Sequence, residues 1–185
     1  MANLKFFEWQ TPEDLKRLAE LESEGLGALA LKGPGQEFRE AFAASRFALH
    51  CGATAVRLLE TRQGQQTPDF ALISMGKELW FETTEIDRPG RRRGDEPLVE
   101  GAQSFADHEW SNPEELFEAA VHRITSKVKK TYDKCDGLLI WFNAFPVERA
   151  HQINQQWWES AASTARTHFT EVWVHQAGKF TKLSD

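Results

Sequence analysis

The stretch PDFALISMGKELWFETT, residues 68–84, determines the fold expected for this chain. It contains two short apolar runs on either side of a tight Met75-Gly76-Lys77 turn, and such runs are typical of β-strands. Each run carries a carboxylate, Asp69 in the first and Glu82 in the second. A carboxylate inside a strand is costly to bury unless it is paired or binds a cation. Two carboxylates on strands joined by a tight turn can converge on one metal ion, so the stretch predicts a metal site.

Helices are predicted on the N-terminal side of this stretch. Threonine, proline and two acidic residues at positions 11–14 are typical of a helix start, and this helix is expected to run towards Gly25. After a Gly-Pro-Gly break, a second helix is predicted over 36–50, with Gly52 placed to end it. Residues 54–60 then change to a strand pattern. The segment therefore supplies two helices and one strand to the fold.

The C-terminal side alternates between helix and strand patterns. Residues 87–112 are rich in proline, glycine and charge and are predicted to form a long loop. The further predicted elements are helices at 111–132 and 147–166 and strands at 138–142, 171–175 and 179–183. The strand at 138–142 is the most apolar and is therefore expected to be central. This order predicts a mixed sheet with helices on both faces, in which an antiparallel meander precedes crossover connections.

Composition limits the class of protein. The 185 residues fit one domain. No apolar run approaches the roughly 18 residues of a membrane helix, and the first residues lack a secretory pattern. Cys51 and Cys135 are isolated, so a reduced, cytoplasmic protein with no membrane partner is expected. The net charge of −6 argues against avid nonspecific DNA binding, although lysines and arginines cluster at 88–93 and 127–134.

Pro68-Asp69 and Glu82-Thr83-Thr84 together resemble the signature of the PD-(D/E)XK nuclease superfamily, which has the restriction-endonuclease-like fold. The predicted order of elements, from the helix at 36 to the strand at 138, resembles that family as well. The resemblance implies a single α/β domain whose mixed β-sheet is flanked by helices on both faces. Its nuclease-like core would span about 36–145, with a helical extension at 1–33 and a C-terminal helix and strands at 146–185.

The resemblance also implies a metal-dependent hydrolase acting on phosphodiester bonds. Mg²⁺, or Mn²⁺ in its place, binds oxygen ligands and both activates water and neutralises charge. Asp69 and Glu82 would hold the ion with help from the Thr83 carbonyl. An acidic residue on the preceding helix would assist, for which Glu40 is preferred over Glu37. Glu85 would lie on the opposite strand face from Glu82, because side chains alternate along a strand.

Thr84 departs from the family pattern, which has lysine at this position. Three alternatives follow from the absence of this lysine. A lysine on the following helix or an arginine from the basic loop replaces it, or the positive charge is lost and catalysis with it. Lys127 is the preferred substitute and is expected as a catalytic residue. The residues expected to bind phosphate are Arg88, Arg91, Arg92, Arg93 and Lys130.

The leading hypothesis is therefore a metal-dependent nuclease that acts on nucleic acid, with DNA preferred over RNA. One alternative is a catalytically inactive protein of the same fold that binds nucleic acid. Another is a protein-interaction subunit, and a homodimer fits either function. The fold by itself does not choose between them.

Overall fold

The computed structural model describes residues 4–26, 36–60, 65–86, 113–142, 155–176 and 178–183. The helices are α1 (Pro12–Leu26), α2 (Gln36–His50), α3 (Pro113–Val128) and α4 (Gln155–Ala161). The strands are β1 (Ala55–Leu58), β2 (Phe70–Ser74), β3 (Lys77–Ile86), β4 (Gly137–Phe142), β5 (Glu171–Gln176) and β6 (Lys179–Lys182). Short 3₁₀ turns occur at Leu4–Phe7 and Ala165–Thr167.

The six strands form one mixed sheet in the order β1-β2-β3-β4-β5-β6. The first three strands form an antiparallel meander, β3, β4 and β5 run parallel, and β6 returns antiparallel to β5. β4 has a parallel neighbour on each side, which explains its apolar sequence. The predicted mixed sheet, with a meander followed by crossovers, is confirmed.

The helix boundaries follow local sequence signals. Thr11 caps α1, because its Oγ1 accepts the backbone N–H of Asp14 at 3.2 Å. Gly52 follows α2 with a φ of +61°, a conformation that glycine adopts without strain. The helix predicted over 147–166 is shorter among the described residues: α4 ends at Ala161, and a 3₁₀ turn follows. The predicted loop at 87–112 lies outside the described residues.

Helices cover both faces of the sheet. On one face, α1 and α2 pack against the strands through residues such as Phe47 and Leu139. On the other face, α3 and α4 pack through Ile124 and Trp158 against Leu138 and its neighbours. Since Leu138 and Leu139 are successive residues of β4, the two cores lie on opposite sides of one strand. No helix within the described ranges is both long and apolar enough to cross a membrane.

The β2–β3 hairpin sets the register that positions the site. The turn is shorter than the predicted Met75-Gly76-Lys77, because Lys77 already belongs to β3 and pairs with Ser74. The two turn residues, Met75 and Gly76, both have positive φ. The ladder continues to the pair of Phe70 and Phe81. One further step in this register brings Asp69, just before β2, opposite Glu82. The backbone N–H of Asp69 donates to the carbonyl of Phe81 at 3.0 Å, which holds this extension in place.

Gly137 is required where β4 passes Phe81. A Cβ at this position would lie 2.6 Å from Cδ1 of the Phe81 ring and 3.0 Å from the backbone oxygen of Glu171. We expect Gly137→Ala to lower the free energy of unfolding by about 1–3 kcal/mol, the usual effect of overpacking. Adding Phe81→Leu should relieve part of the loss, so the double variant should be more stable than the sum of the single effects predicts. Urea unfolding measures both.

The control is Gly76→Ala. A Cβ at Gly76 meets no atom within 4 Å, but its φ is +73°. Its loss of stability is therefore due to the backbone, and Phe81→Leu should not relieve it. Additive effects of Gly137→Ala and Phe81→Leu would contradict the packing explanation.

Candidate functional site

A pocket opens beside the C-terminal half of β3. β2 pairs with β3 only as far as Phe81, whereas β4 continues beside β3 to Ile86. Among the described residues, the β2 side of Glu82–Ile86 therefore has no strand partner. A pocket of about 720 Å³ lies there, and α2, β3, β4 and the end of α3 all contribute to its wall. Lining residues central to the site are Glu40, Asp69, Thr83, Lys127, Lys130 and Trp141.

Glu82 is a fully buried carboxylate with two lysine partners. Its side chain is 0 % exposed. Oε1 accepts hydrogen bonds from Nζ of Lys127, in the last turn of α3, and from Nζ of Lys130 at 2.9 Å. Oε2 is buried and has no hydrogen-bond partner in the part of the chain that the structure describes. The charge of this carboxylate is thus compensated at one oxygen by two cations.

Asp69 is fixed against the backbone of β3. Its Oδ2 accepts the N–H of Thr83 at 2.6 Å. Burial raises the pKa of Asp69 to about 7, with the negative charges of Glu82 and then Glu40 acting in the same direction. Lys127 and the Thr83 N–H oppose this rise. Near neutral pH the carboxyl group is therefore partly protonated, the state expected of crowded carboxylates without enough positive charge.

Glu40 reaches the pocket from α2, on the opposite side of the sheet from α3. Gln36, one turn earlier in α2, donates its Nε2–H to Oε1 of Glu40 at 2.8 Å. Burial raises the pKa of Glu40, and the charge of Lys127 partly offsets the effect. Glu37 does not line the pocket. Of the two glutamates considered from sequence, the structure brings Glu40 to the pocket.

Thr84 lies on the same face of β3 as Glu82 and is 3 % exposed. Its hydroxyl carries no charge, so the ammonium group beside Glu82 comes from Lys127 instead. Thr83 and Glu85 lie on the other face and line the pocket. The structure therefore brings together Asp69, Glu82, Lys127 and Lys130. The predicted phosphate ligands Arg88, Arg91, Arg92 and Arg93 lie outside the described residues.

Three site residues were not predicted from sequence. Gln36 stands four positions before Glu40, a helical spacing that makes side chains neighbours and could have been used. Tyr132 and Trp141 give no comparable signal, because the packing of α3 and β4 decides where they lie. Burial and the charge of Glu82 raise the pKa of the Tyr132 hydroxyl, so it stays protonated beside the carboxylate.

The donor atoms suit a hard divalent cation. Mg²⁺ binds a few carboxylate oxygens and retains water, and Asp69 and Glu82 face each other across β2 and β3. Burial first, and then the charges of Glu82 and Glu40, raise the pKa of Asp69, so a cation placed beside these groups would favour the ionised carboxylate. Within the described residues, no three His, Cys, Asp or Glu side chains are grouped closely enough to hold a metal. Asp69 and Glu82 are therefore the two described carboxylates from which a cation site could be built.

Comparison with known proteins provides no relative from which the function of this pocket could be inferred. No protein-family model, curated protein or solved structure matches the chain. Asp69, Glu40 and Lys127 line the pocket, and Glu82 is joined to this group through its contact with Lys127.

The two lysines are expected to act together in stabilising Glu82. Either Lys127→Met or Lys130→Met leaves Glu82 with one cation, so each should destabilise the protein modestly. The double variant leaves a buried, uncompensated charge and should lose about 3–5 kcal/mol, more than the two single effects combined. Adding Glu82→Gln should restore part of that loss. Urea unfolding of wild type and of the single, double and triple variants measures how far the effects of Lys127→Met and Lys130→Met depend on each other.

The matched control is Lys129→Met. Lys129 is an exposed neighbour of the two lysines, so its replacement should change stability by no more than about 0.5 kcal/mol. Strictly additive losses for Lys127→Met and Lys130→Met would show that they do not share Glu82.

Asp69 should make stability depend on pH. Its pKa is raised from the ordinary 3.8 to about 7 in the folded protein, so the folded state holds the proton more tightly. The stabilisation from this proton is complete below the unfolded pKa and disappears as pH rises through the folded pKa. In EDTA, wild type should therefore lose stability relative to Asp69→Asn between pH 4 and 7. A difference in unfolding free energy that does not change over this interval would contradict the assignment.

Proposed function

We propose that this chain is a metal-dependent nuclease with a restriction-endonuclease-like fold, and that it hydrolyses phosphodiester bonds at the pocket beside β3. One observation carries the proposal: Asp69 and Glu82 lie opposite each other in the β2–β3 register, and Lys127 contacts Glu82. Paired carboxylates can hold the hard cation used in phosphodiester hydrolysis, and a neighbouring amine can offset negative charge on the phosphate. The resemblance of Pro68-Asp69 and Glu82-Thr83-Thr84 to the PD-(D/E)XK signature supports the same chemistry.

The position of each site residue suggests its role in metal binding. Asp69, Glu82 and the Thr83 carbonyl would hold Mg²⁺ or Mn²⁺, and Glu40 would assist directly or through water. When bound, the ion supplies Lewis acidity and a water of lowered pKa. Asp69 must lose its proton to serve as a ligand, and a pKa of about 7 allows this near neutrality. Glu82 can offer Oε2 while Oε1 keeps its lysines.

Lys127 would offset the negative charge that develops on the phosphate. Thr84 cannot supply that charge, and Lys127 is already held beside Glu82. Lys130, whose side chain is 37 % exposed, would contact a neighbouring phosphate at the pocket rim. The arginines at 88 and 91–93 are proposed to bind further phosphates. DNA is the preferred polymer, and a homodimer would allow both strands of a duplex to be cut.

A second function has its own supporting observation. Both lysines bind the same oxygen of Glu82, so the carboxylate is already neutralised without a metal. If no metal binds beside this pair, the chain would bind nucleic acid, or a protein partner, without cleaving it. This is the inactive-module alternative, and it shares the fold and the pocket with the nuclease.

The test is a cleavage assay on plasmid, linear duplex, single-stranded DNA and RNA, with Mg²⁺ or Mn²⁺. We expect wild type to cleave at least one polymer, and EDTA, Asp69→Asn or Glu82→Gln to abolish the activity. Lys127→Met should lower the rate by about 10²–10³-fold, comparable to removing one group that stabilises transition-state charge. Lys127→Arg should retain more activity than Lys127→Met, because it keeps the charge.

Lys129→Met is the control, since this exposed lysine should leave the rate unchanged. Cleavage that survives equally in Asp69→Asn and Glu82→Gln would eliminate the proposed site. Full activity in Lys127→Met would remove only the role of the amine. Metal-dependent binding without cleavage of any polymer would favour the inactive module.

A further inference from the structure

The pocket wall next to the carboxylates is aromatic. Phe38 and Phe42 of α2 and Trp141 of β4 line it, and all three are half-buried. None of the roles proposed for metal or phosphate uses these rings. At about 720 Å³ the pocket is in the range of about 300–1,000 Å³ that accommodates small organic ligands. Its aromatic side therefore suits a flat, uncharged group.

Trp141 is held in a fixed orientation. The ring of His175, on the neighbouring strand β5, stacks on the indole with centroids 3.8 Å apart and an interplanar angle of 14°. The Phe42 ring meets the indole edge-on at 6.4 Å. Burial, helped by the charge of Arg46, lowers the pKa of His175 to about 4, so the stack is uncharged at neutral pH. A rigid aromatic ring loses little entropy when a ligand stacks on it.

The aromatic wall lies close to the proposed reaction centre. In the parallel register of β3 and β4, Trp141 is opposite Glu85, and Thr83 is two residues earlier. At about 3.3 Å per residue, the offset along the strand from Thr83 to Trp141 is about 7 Å. Thr83 in turn binds Asp69 through its N–H. A stacked nucleic-acid strand advances about 3.4 Å per nucleotide, so about two stacked nucleotides span this offset, and a single unstacked nucleotide reaches it by extending its base away from the backbone.

We infer that this pocket receives an unpaired nucleobase next to the scissile phosphate, so that the preferred substrate is single-stranded nucleic acid or a strand with an unstacked base. This inference rests on the proposed nuclease function and specifies its substrate. A base within a duplex has both faces covered by its neighbours and must leave the stack to enter such a pocket. Stacking on aromatic rings tolerates any base, so little sequence preference is expected. Gln65 and Gln66 at the rim provide amides for the base edge.

Measuring oligonucleotide binding to an inactive variant tests the base pocket independently of catalysis. The protein is full-length Asp69→Asn in Mg²⁺, and the probe is one fluorescein-labelled oligonucleotide, either single-stranded or annealed to its complement. Fluorescence anisotropy should give a lower Kd for the single strand than for the duplex. Adding Trp141→Ala should weaken single-strand binding by about 5- to 150-fold, the effect of losing one stacked base, and Trp141→Phe should retain most of the affinity.

Two further variants complete the design. Phe38→Ala removes another ring from the wall and should also weaken single-strand binding, and it decides the question if Trp141→Ala is unfolded by circular dichroism. Trp9→Ala removes an exposed tryptophan outside the pocket and should change nothing. Equal affinity for duplex and single strand, or unchanged single-strand affinity in the wall variants, would overturn the inference.

The two proposals fail differently. If the single strand binds through Trp141 but wild type cleaves no polymer, the nuclease function is wrong and the base pocket stands. If wild type cleaves and the wall variants bind the single strand normally, the nuclease function stands and the base pocket is wrong.

Discussion

The buried charge of Glu82 is the constraint on which the rest of the structure depends. A carboxylate with no exposed surface in a central strand is tolerated only with compensating positive charge. Lys127 and Lys130 supply this charge, so α3 must pack with its last turn over β3. The same packing closes one side of the pocket. The requirement that stabilises the fold therefore also places an amine and a carboxylate together at the site.

Much of this arrangement could be predicted because it depends on local signals. Helix starts, helix ends and the hairpin follow from proline, glycine and apolar periodicity, as at Thr11 and Gly52. The position of the hairpin turn was predicted, but its two-residue length, which sets the register and places Asp69 opposite Glu82, comes from the structure. The positions of Tyr132 and Trp141 depend on how α3 and β4 pack across long sequence separations. No local pattern encodes that packing, so the aromatic wall could not be predicted.

Placing the amine on a helix instead of a strand has an electrostatic rationale. At position 84 of β3, a lysine would be buried on the α3 face, where Thr84 is 3 % exposed. Lys127 stands in the last turn of α3, where the helix dipole favours positive charge. The dipole and Glu82 together stabilise the ammonium group. Lys127 also lines the pocket, so its side chain reaches solvent and the proposed substrate.

The two oxygens of Glu82 explain how a structural ion pair and a metal ligand can be the same residue. The lysines both bind Oε1, and Oε2 has no hydrogen-bond partner among the described residues. A cation at Oε2 would therefore not need to displace Lys127, and it would lower the pKa of Asp69 by opposing the charge that raises it. Proton loss from Asp69 and retention of the lysine are then compatible. Under the proposed nuclease function, an amine that remains beside Glu82 would lie near the bound phosphate, and Thr84 would then not need to supply charge.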